Sequence, residues 1–169
     1  MAVETITKND GVVMTPSIEY WTKELQAVVG FPIHITSGYR TPEAQVRAMF
    51  TKIELGDNLL AIYADKTFAQ NIMNAYPDTN KAVKIVEEYA SKGGGSSHLQ
   101  GLAFDLRTRD KTPGEIQAMK QGALSLGLKP LIENTPPHIH IGIPKELEKK
   151  SGLNIPLIAG LVLLGWWLV

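Results

Sequence analysis

Residues 96–108, SSHLQGLAFDLRT, and residues 137–143, PHIHIGI, decide how this chain is read. LAFDLRT has the composition of a strand, in which alternation sets Ala103 and Asp105 on one face and Leu102, Phe104 and Leu106 on the other. An Asp inside an apolar strand is costly to bury unless it is paired or ligates something. Its alternatives are a salt bridge to Arg107 or Arg40, or a solvent-facing position. In HIHIGI the same alternation gathers His138 and His140 on one face and Ile139 and Ile141 on the other, so the two imidazoles stand about 7 Å apart along one strand. His98 closes a Gly/Ser loop just before the first of these strands. A His and an Asp seven positions apart, followed by His-x-His, supply three protein ligands and a spare imidazole, and three ligands with a water in the fourth position is the pattern of catalytic zinc. Such a metal lowers the pKa of its water and polarises a carbonyl, which points to metal-assisted hydrolysis. Spacing alone leaves open whether His138 or His140 is the ligand. His34, the remaining histidine, reads as structural.

Outward from these strands, the elements alternate between helices and short strands. Thr15 can cap a helix from Pro16 to Val29, with Ile18, Trp21, Leu25 and Val28 on one face and Gly30 at its end. PIHIT reads as a strand. Thr41 caps a helix beginning at Pro42, whose apolar face is Val46, Met49, Phe50 and Ile53, closed by Gly56. Asn58 to Ala75 reads as helical, as does Asn80 to Ala90. Thr112 caps a helix from Pro113, closed by Gly127, and KPLIE is a further strand. Helices that precede and interleave with short strands predict an α+β fold, with helices packed on a small, mainly antiparallel sheet carrying the metal site. There is no internal repeat.

The 169 residues suit one domain with a substantial core, and 17 basic against 17 acidic residues give nucleic acid no electrostatic preference as a partner. Cysteine is absent, so disulfides and thiolate metal sites are excluded and zinc would rely on His and carboxylate. The stretch MAVETITKNDGVV lacks the basic and apolar regions of a signal peptide. The other end differs: Ser151 to Val169 carries no charge, Lys145, Lys149 and Lys150 precede it, and Trp166 and Trp167 lie near its end. As a helix from Leu153 it would measure roughly 25 Å, against a bilayer core of roughly 30 Å. Lys at one end and Trp at the other suit membrane interfaces. A core helix would show a polar face, and this segment shows none. The expected organisation is a catalytic domain over residues 1–146, a linker over 147–154 and an apolar membrane-anchoring helix over 155–169.

SGYRTPEAQ at 37–45, SSHLQGLAFDL at 96–106 and PHIHIG at 137–142 come in an order that resembles the zinc D-Ala-D-Ala carboxypeptidase and L-alanyl-D-glutamate endopeptidase family, whose fold is shared with the hedgehog-like domain. The resemblance covers roughly residues 15 to 145. It implies cleavage of a peptide bond in the peptidoglycan stem peptide, with His98, Asp105 and His140 as zinc ligands and His138 as the catalytic group. Some members carry Glu or Asp three residues before the ligand. Here that position is Pro137 counted from His140, or Thr135 counted from His138, which favours His138 as the base and leaves Glu133 as the alternative. The resemblance also turns Arg40 toward the substrate, where a guanidinium can hold a carboxylate or a developing oxyanion. A salt bridge to Asp105 or Glu43 is the alternative. Gln45 and Ser97 are further substrate-contact candidates, and Tyr39 reads as packing.

A wall-cutting enzyme without an export signal fits a phage protein, either released at lysis as an endolysin or carried in a virion with a membrane. A host enzyme anchored by its tail competes with this. The missing acidic base keeps a second function open: a membrane-anchored module that binds zinc or cell wall without cleaving it.

Overall fold

The computed structural model describes residues 6–134 and 136–148, which form six α-helices, five strands and a short 3-10 turn. In chain order these are β1 (Ile6–Lys8), α1 (Pro16–Val29), β2 (Ile33–Ser37), α2 (Pro42–Glu54), α3 (Leu59–Ile62), α4 (Lys66–Ala75), α5 (Thr79–Ser91), β3 (Ala103–Arg107), α6 (Pro113–Ser125), β4 (Lys129–Asn134) and β5 (Pro137–Gly142), with the 3-10 turn at Lys145–Leu147. The fold is α+β, as expected. The apolar segment 155–169, and the linker beyond residue 148, lie outside the described residues. Among the described residues no helix is long and apolar enough to cross a membrane.

Helix starts follow the local chemistry closely. The hydroxyls of Thr15, Thr41 and Thr112 accept the backbone N–H of Ile18, Ala44 and Glu115, and each is followed by Pro at the first helical position. The stretch from Asn58 to Ala75 is two helices rather than one. Asp65 stands between them and caps the second, accepting the N–H of Phe68 at 2.9 Å, while its other oxygen accepts the Tyr89 hydroxyl at 2.7 Å. A capping carboxylate requires extended backbone at its own position, which interrupts the helix there.

The sheet order is β1-β2-β3-β5-β4. It is mixed, because β1 lies parallel to β2 and the other three pairs are antiparallel. The parallel pair is possible because α1 crosses between its two strands. Only Ile6 in this three-residue strand is a strong apolar signal, which hides it from pattern reading.

Two hydrophobic clusters result. In the first, Ile33, Ile35, Phe104, Leu106, Ile139 and Ile141 project from one sheet face onto Ile18, Trp21 and Leu25 of α1 and Met119 and Ala123 of α6. Val28, expected on the buried face of α1, is 51% exposed, and Thr22 is buried in that face instead. The second cluster joins α2, α3, α4 and α5 through residues such as Met49, Leu59, Phe68, Ile72 and Val86. The other sheet face carries the polar side chains Asp105, Arg107, His138, His140 and Glu133, with Ala103 and Leu131 among them. Trp21 Nε1 donates to the Leu147 carbonyl at 2.9 Å and so holds the final 3-10 turn against α1.

Candidate functional site

Strand register assembles the polar face. Asp105 pairs with His140 across β3 and β5, and His140 pairs with Leu131 of β4. The next row along holds Arg107, His138 and Glu133. Directly opposed residues share a face, so two rows of functional side chains run across the sheet. On its other side Asp105 pairs with Ser37, where β2 bulges between Ile35 and Ser37. An extra residue in one strand re-aims the chain beyond it, and that stretch of chain carries Gly38 and Arg40.

His98 arrives from the loop after α5. Its Nδ1–H donates to the Gly38 carbonyl at 2.7 Å, since a carbonyl can only accept. The ring therefore presents Nε2 to the sheet. His98 Nε2 lies 3.2 Å from His140 Nδ1 and 3.3 Å from Asp105 Oδ1, and His140 Nδ1 lies 3.0 Å from the same oxygen. His98 and Asp105 are each only 4% exposed. Burial pushes the Asp105 carboxyl up. The hydrogen bonds from His140 and His98, and the charge on those rings, outweigh burial and hold it far below the usual carboxylate range.

Three potential ligand atoms this close can also close around a cation in place of the protons they share. In a tetrahedral site with bonds of about 2.0–2.1 Å, neighbouring ligand atoms stand about 3.3 Å apart. The three separations here, 3.0, 3.2 and 3.3 Å, are near that edge. His98, Asp105 and His140 thus form a group that can hold a metal ion, and His138 stands outside that group. The carbonyl on His98 Nδ1 is the kind of outer partner that orients ligating imidazoles.

Gly38 fits this role because it has no Cβ. A Cβ there would stand 2.3 Å from the Val13 carbonyl oxygen, so the backbone would have to move and carry the acceptor of His98 with it. Gly38→Ala is expected to weaken metal affinity by about 10–100-fold, the usual effect of losing an outer partner. Competition against a calibrated chelator measures this, and unchanged affinity would count against the carbonyl as the orienting group.

His138 is held differently. Its Nδ1–H donates to the Pro136 carbonyl at 2.7 Å. Nε2 consequently faces the site, 3.8 Å from Asp105 Oδ1 and 3.7 Å from Glu133 Oε2. Glu133 in turn lies 3.5 Å from Lys52 Nζ of α2.

Arg40 donates from Nη2 to Asp105 Oδ2 at 3.1 Å and from Nε to Ser37 Oγ at 2.9 Å. The salt bridge to Asp105 is therefore present, with the Arg40 side chain still 24% exposed toward the cleft. Gln45, expected at the substrate, is 1% exposed. Its amide donates to Tyr63 Oη at 3.0 Å and its carbonyl accepts from Ser96 Oγ at 3.1 Å, so both ends tie the His98 loop to α3. Burial pushes the Tyr63 phenol up, with the Arg40 charge opposing it. Ser97 Oγ is 3.4 Å from His140 Nε2, on the side away from the ligand cluster. His34 is engaged near β1 and takes no part in the cluster.

Apart from His34 and Gly38, these groups line one cleft of about 730 Å³ between the sheet and α2–α3. Lys52 and Tyr63 were not singled out from the sequence. The signal for Lys52 was present: Gln45, Ala48 and Lys52 are spaced three and four apart, on one helical face, and all three line the cleft. Tyr63 comes directly after a four-residue helix and carries no periodic signal.

No family model matches the chain, and no curated protein or solved structure matches it either.

Proposed function

We propose that this chain is a zinc-dependent peptidase that hydrolyses a peptide bond in the peptidoglycan stem peptide. The observation that carries the reading is the placing of His98 Nε2, Asp105 Oδ1 and His140 Nδ1 at tetrahedral separations within a cleft, with a further imidazole beside them. Two imidazoles and one carboxylate suit zinc, whereas calcium and magnesium favour all-oxygen shells. When bound there, zinc supplies Lewis acidity, which activates a water and polarises the scissile carbonyl.

The chain's own residues supply the rest. His138 takes a proton from the attacking water at Nε2 and returns it to the leaving amine as the C–N bond breaks. The Pro136 carbonyl keeps the proton on Nδ1, so Nε2 is the basic end. Glu133, 3.7 Å from that nitrogen, balances the imidazolium while it exists, and Lys52 balances Glu133 in turn. Arg40 holds Asp105 Oδ2 and leaves Oδ1 for the metal. Gln45, buried beneath the His98 loop, acts as a positioning residue.

The test is digestion of purified sacculi by the full chain, with and without chelator, followed by mass spectrometry of the released peptides. Zinc-dependent release of stem-peptide fragments is the expected result, and the new termini identify the bond. Absence of release by zinc-loaded protein would sink the peptidase reading and leave a binding module.

A further inference from the structure

The cleft differs in character from one side of the sheet to the other. Toward β4, beside the Lys52–Glu133 pair, it exposes apolar side chains: Leu131 is 57% exposed, and Leu55 and Ile62 across from the sheet are 62% and 45% exposed. Toward β1 and β2 it is lined by Asn9, Arg107 and Arg109. The strand order, with β1 and β4 on opposite edges, sets these two ends apart.

Most charges along the cleft have a partner of opposite sign. Arg40 is paired with Asp105, Lys52 with Glu133, and Arg107 binds both oxygens of Asp110 at 3.2 and 2.9 Å. Arg109 lines the cleft with no carboxylate in ion-pair reach among the described residues. Asn9 lines the same cleft, and its side chain is oriented from behind. The Thr7 hydroxyl donates to His34 Nδ1 at 2.7 Å, and His34 Nε2–H donates to Asn9 Oδ1 at 2.7 Å. This chain of bonds uses the acceptor end of the Asn9 amide and leaves its NH2 as the outward end. Burial first, and then the charges of Arg107 and Arg109 against the opposing charge of Asp110, lower the His34 pKa, which favours the neutral ring that this bonding pattern requires.

The geometry points to a carboxylate-binding subsite formed by Asn9 and Arg109, with Arg107 beside them, that sets the direction in which a peptide lies across the cleft. A guanidinium unpaired among the described residues, whose charge reaches His34, and an amide NH2 held by the same His34 suit the two oxygens of a carboxylate. The apolar wall at the opposite end receives the uncharged part of the same peptide. The inference rests on the peptidase reading only for the nature of the ligand. In a stem peptide the carboxylate can belong to the terminal D-alanine or to D-glutamate.

The test measures binding to the full chain by NMR titration, using two pairs of probes. One pair is N-acetyl-D-Ala-D-Ala as the acid and as its carboxamide. The other is N-acetyl-L-Ala-D-Glu with its γ-carboxyl blocked as the amide in both members and its α-carboxyl free or amidated. An acid should bind about 10–100-fold tighter than its amide, the range for hydrogen bonds to a charged group. The pair that shows this preference identifies the source of the carboxylate. R109Q and N9A should each remove most of the preference, and R109K should restore part of it. Equal binding of acid and amide in both pairs, or an unchanged preference in R109Q, would overturn the subsite. Because binding is read without turnover, failure of the sacculus digestion leaves this test separately decidable.

Discussion

With zinc in the proposed His98–Asp105–His140 site, Asp105→Asn is expected to remove most of the stabilisation that binding gives the fold. Oδ1 of Asp105 faces the His98 and His140 imidazoles, Oδ2 holds Arg40, and the residue is 4% exposed. Asparagine keeps the shape but removes the charge, and it must turn its NH2 either toward Arg40 or toward the imidazole nitrogens. At zinc a hundred times its dissociation constant, binding stabilises a protein by about 2.7 kcal/mol. For a chain of this size that is roughly 5–10 °C in thermal midpoint. A 100-fold loss of affinity reduces the same term to about 0.4 kcal/mol, under 2 °C. The quantity to measure is the midpoint with zinc minus the midpoint with chelator, because the substitution also leaves Arg40 without its counter-charge and shifts the metal-free baseline. A wild-type difference in the variant would remove Asp105 from the ligand set.

The second large effect separates His138 from the ligands. His138→Ala is expected to lower kcat by about 10²–10⁴-fold, the range for a lost general base, while zinc affinity stays within a few-fold of wild type. Its Nε2 lies outside the group of converging ligand atoms, and its Nδ1 is fixed by Pro136. Kinetics on a stem-peptide substrate, together with metal analysis of the same preparation, check both halves. Loss of zinc from the variant would make His138 a ligand. Glu133→Gln provides the comparison: a smaller loss than in His138→Ala agrees with a carboxylate that balances the imidazolium, and a larger loss would make Glu133 the base.

Local chemistry accounts for the features that were legible along the chain. Thr15, Thr41 and Thr112 announce their helices because a hydroxyl before Pro can satisfy a backbone N–H within one turn, wherever the helix later packs. Alternation separates Ile139 and Ile141 from His138 and His140 because successive strand residues point to opposite faces. The break at Asp65 was missed because a carboxylate mid-pattern looks like a solvent-facing helical residue until its capping bond is seen.

By itself, then, the sequence determined an α+β chain whose strand faces carry Asp105, His138 and His140, and it brought His98 to the end of a glycine-rich loop. Tertiary structure alone decided which of these groups come together. The spacing of His138 and His140 is the same from either side, but register places His140 opposite Asp105 and His138 opposite Glu133. The bulge in β2 and the missing Cβ of Gly38 put a carbonyl behind His98, and the placing of α2 across the cleft from the sheet brought Lys52 to Glu133 and left Gln45 buried against Tyr63 and Ser96. Each of these depends on residues tens of positions apart meeting in a particular register. Periodicity within a single element carries no information about that register.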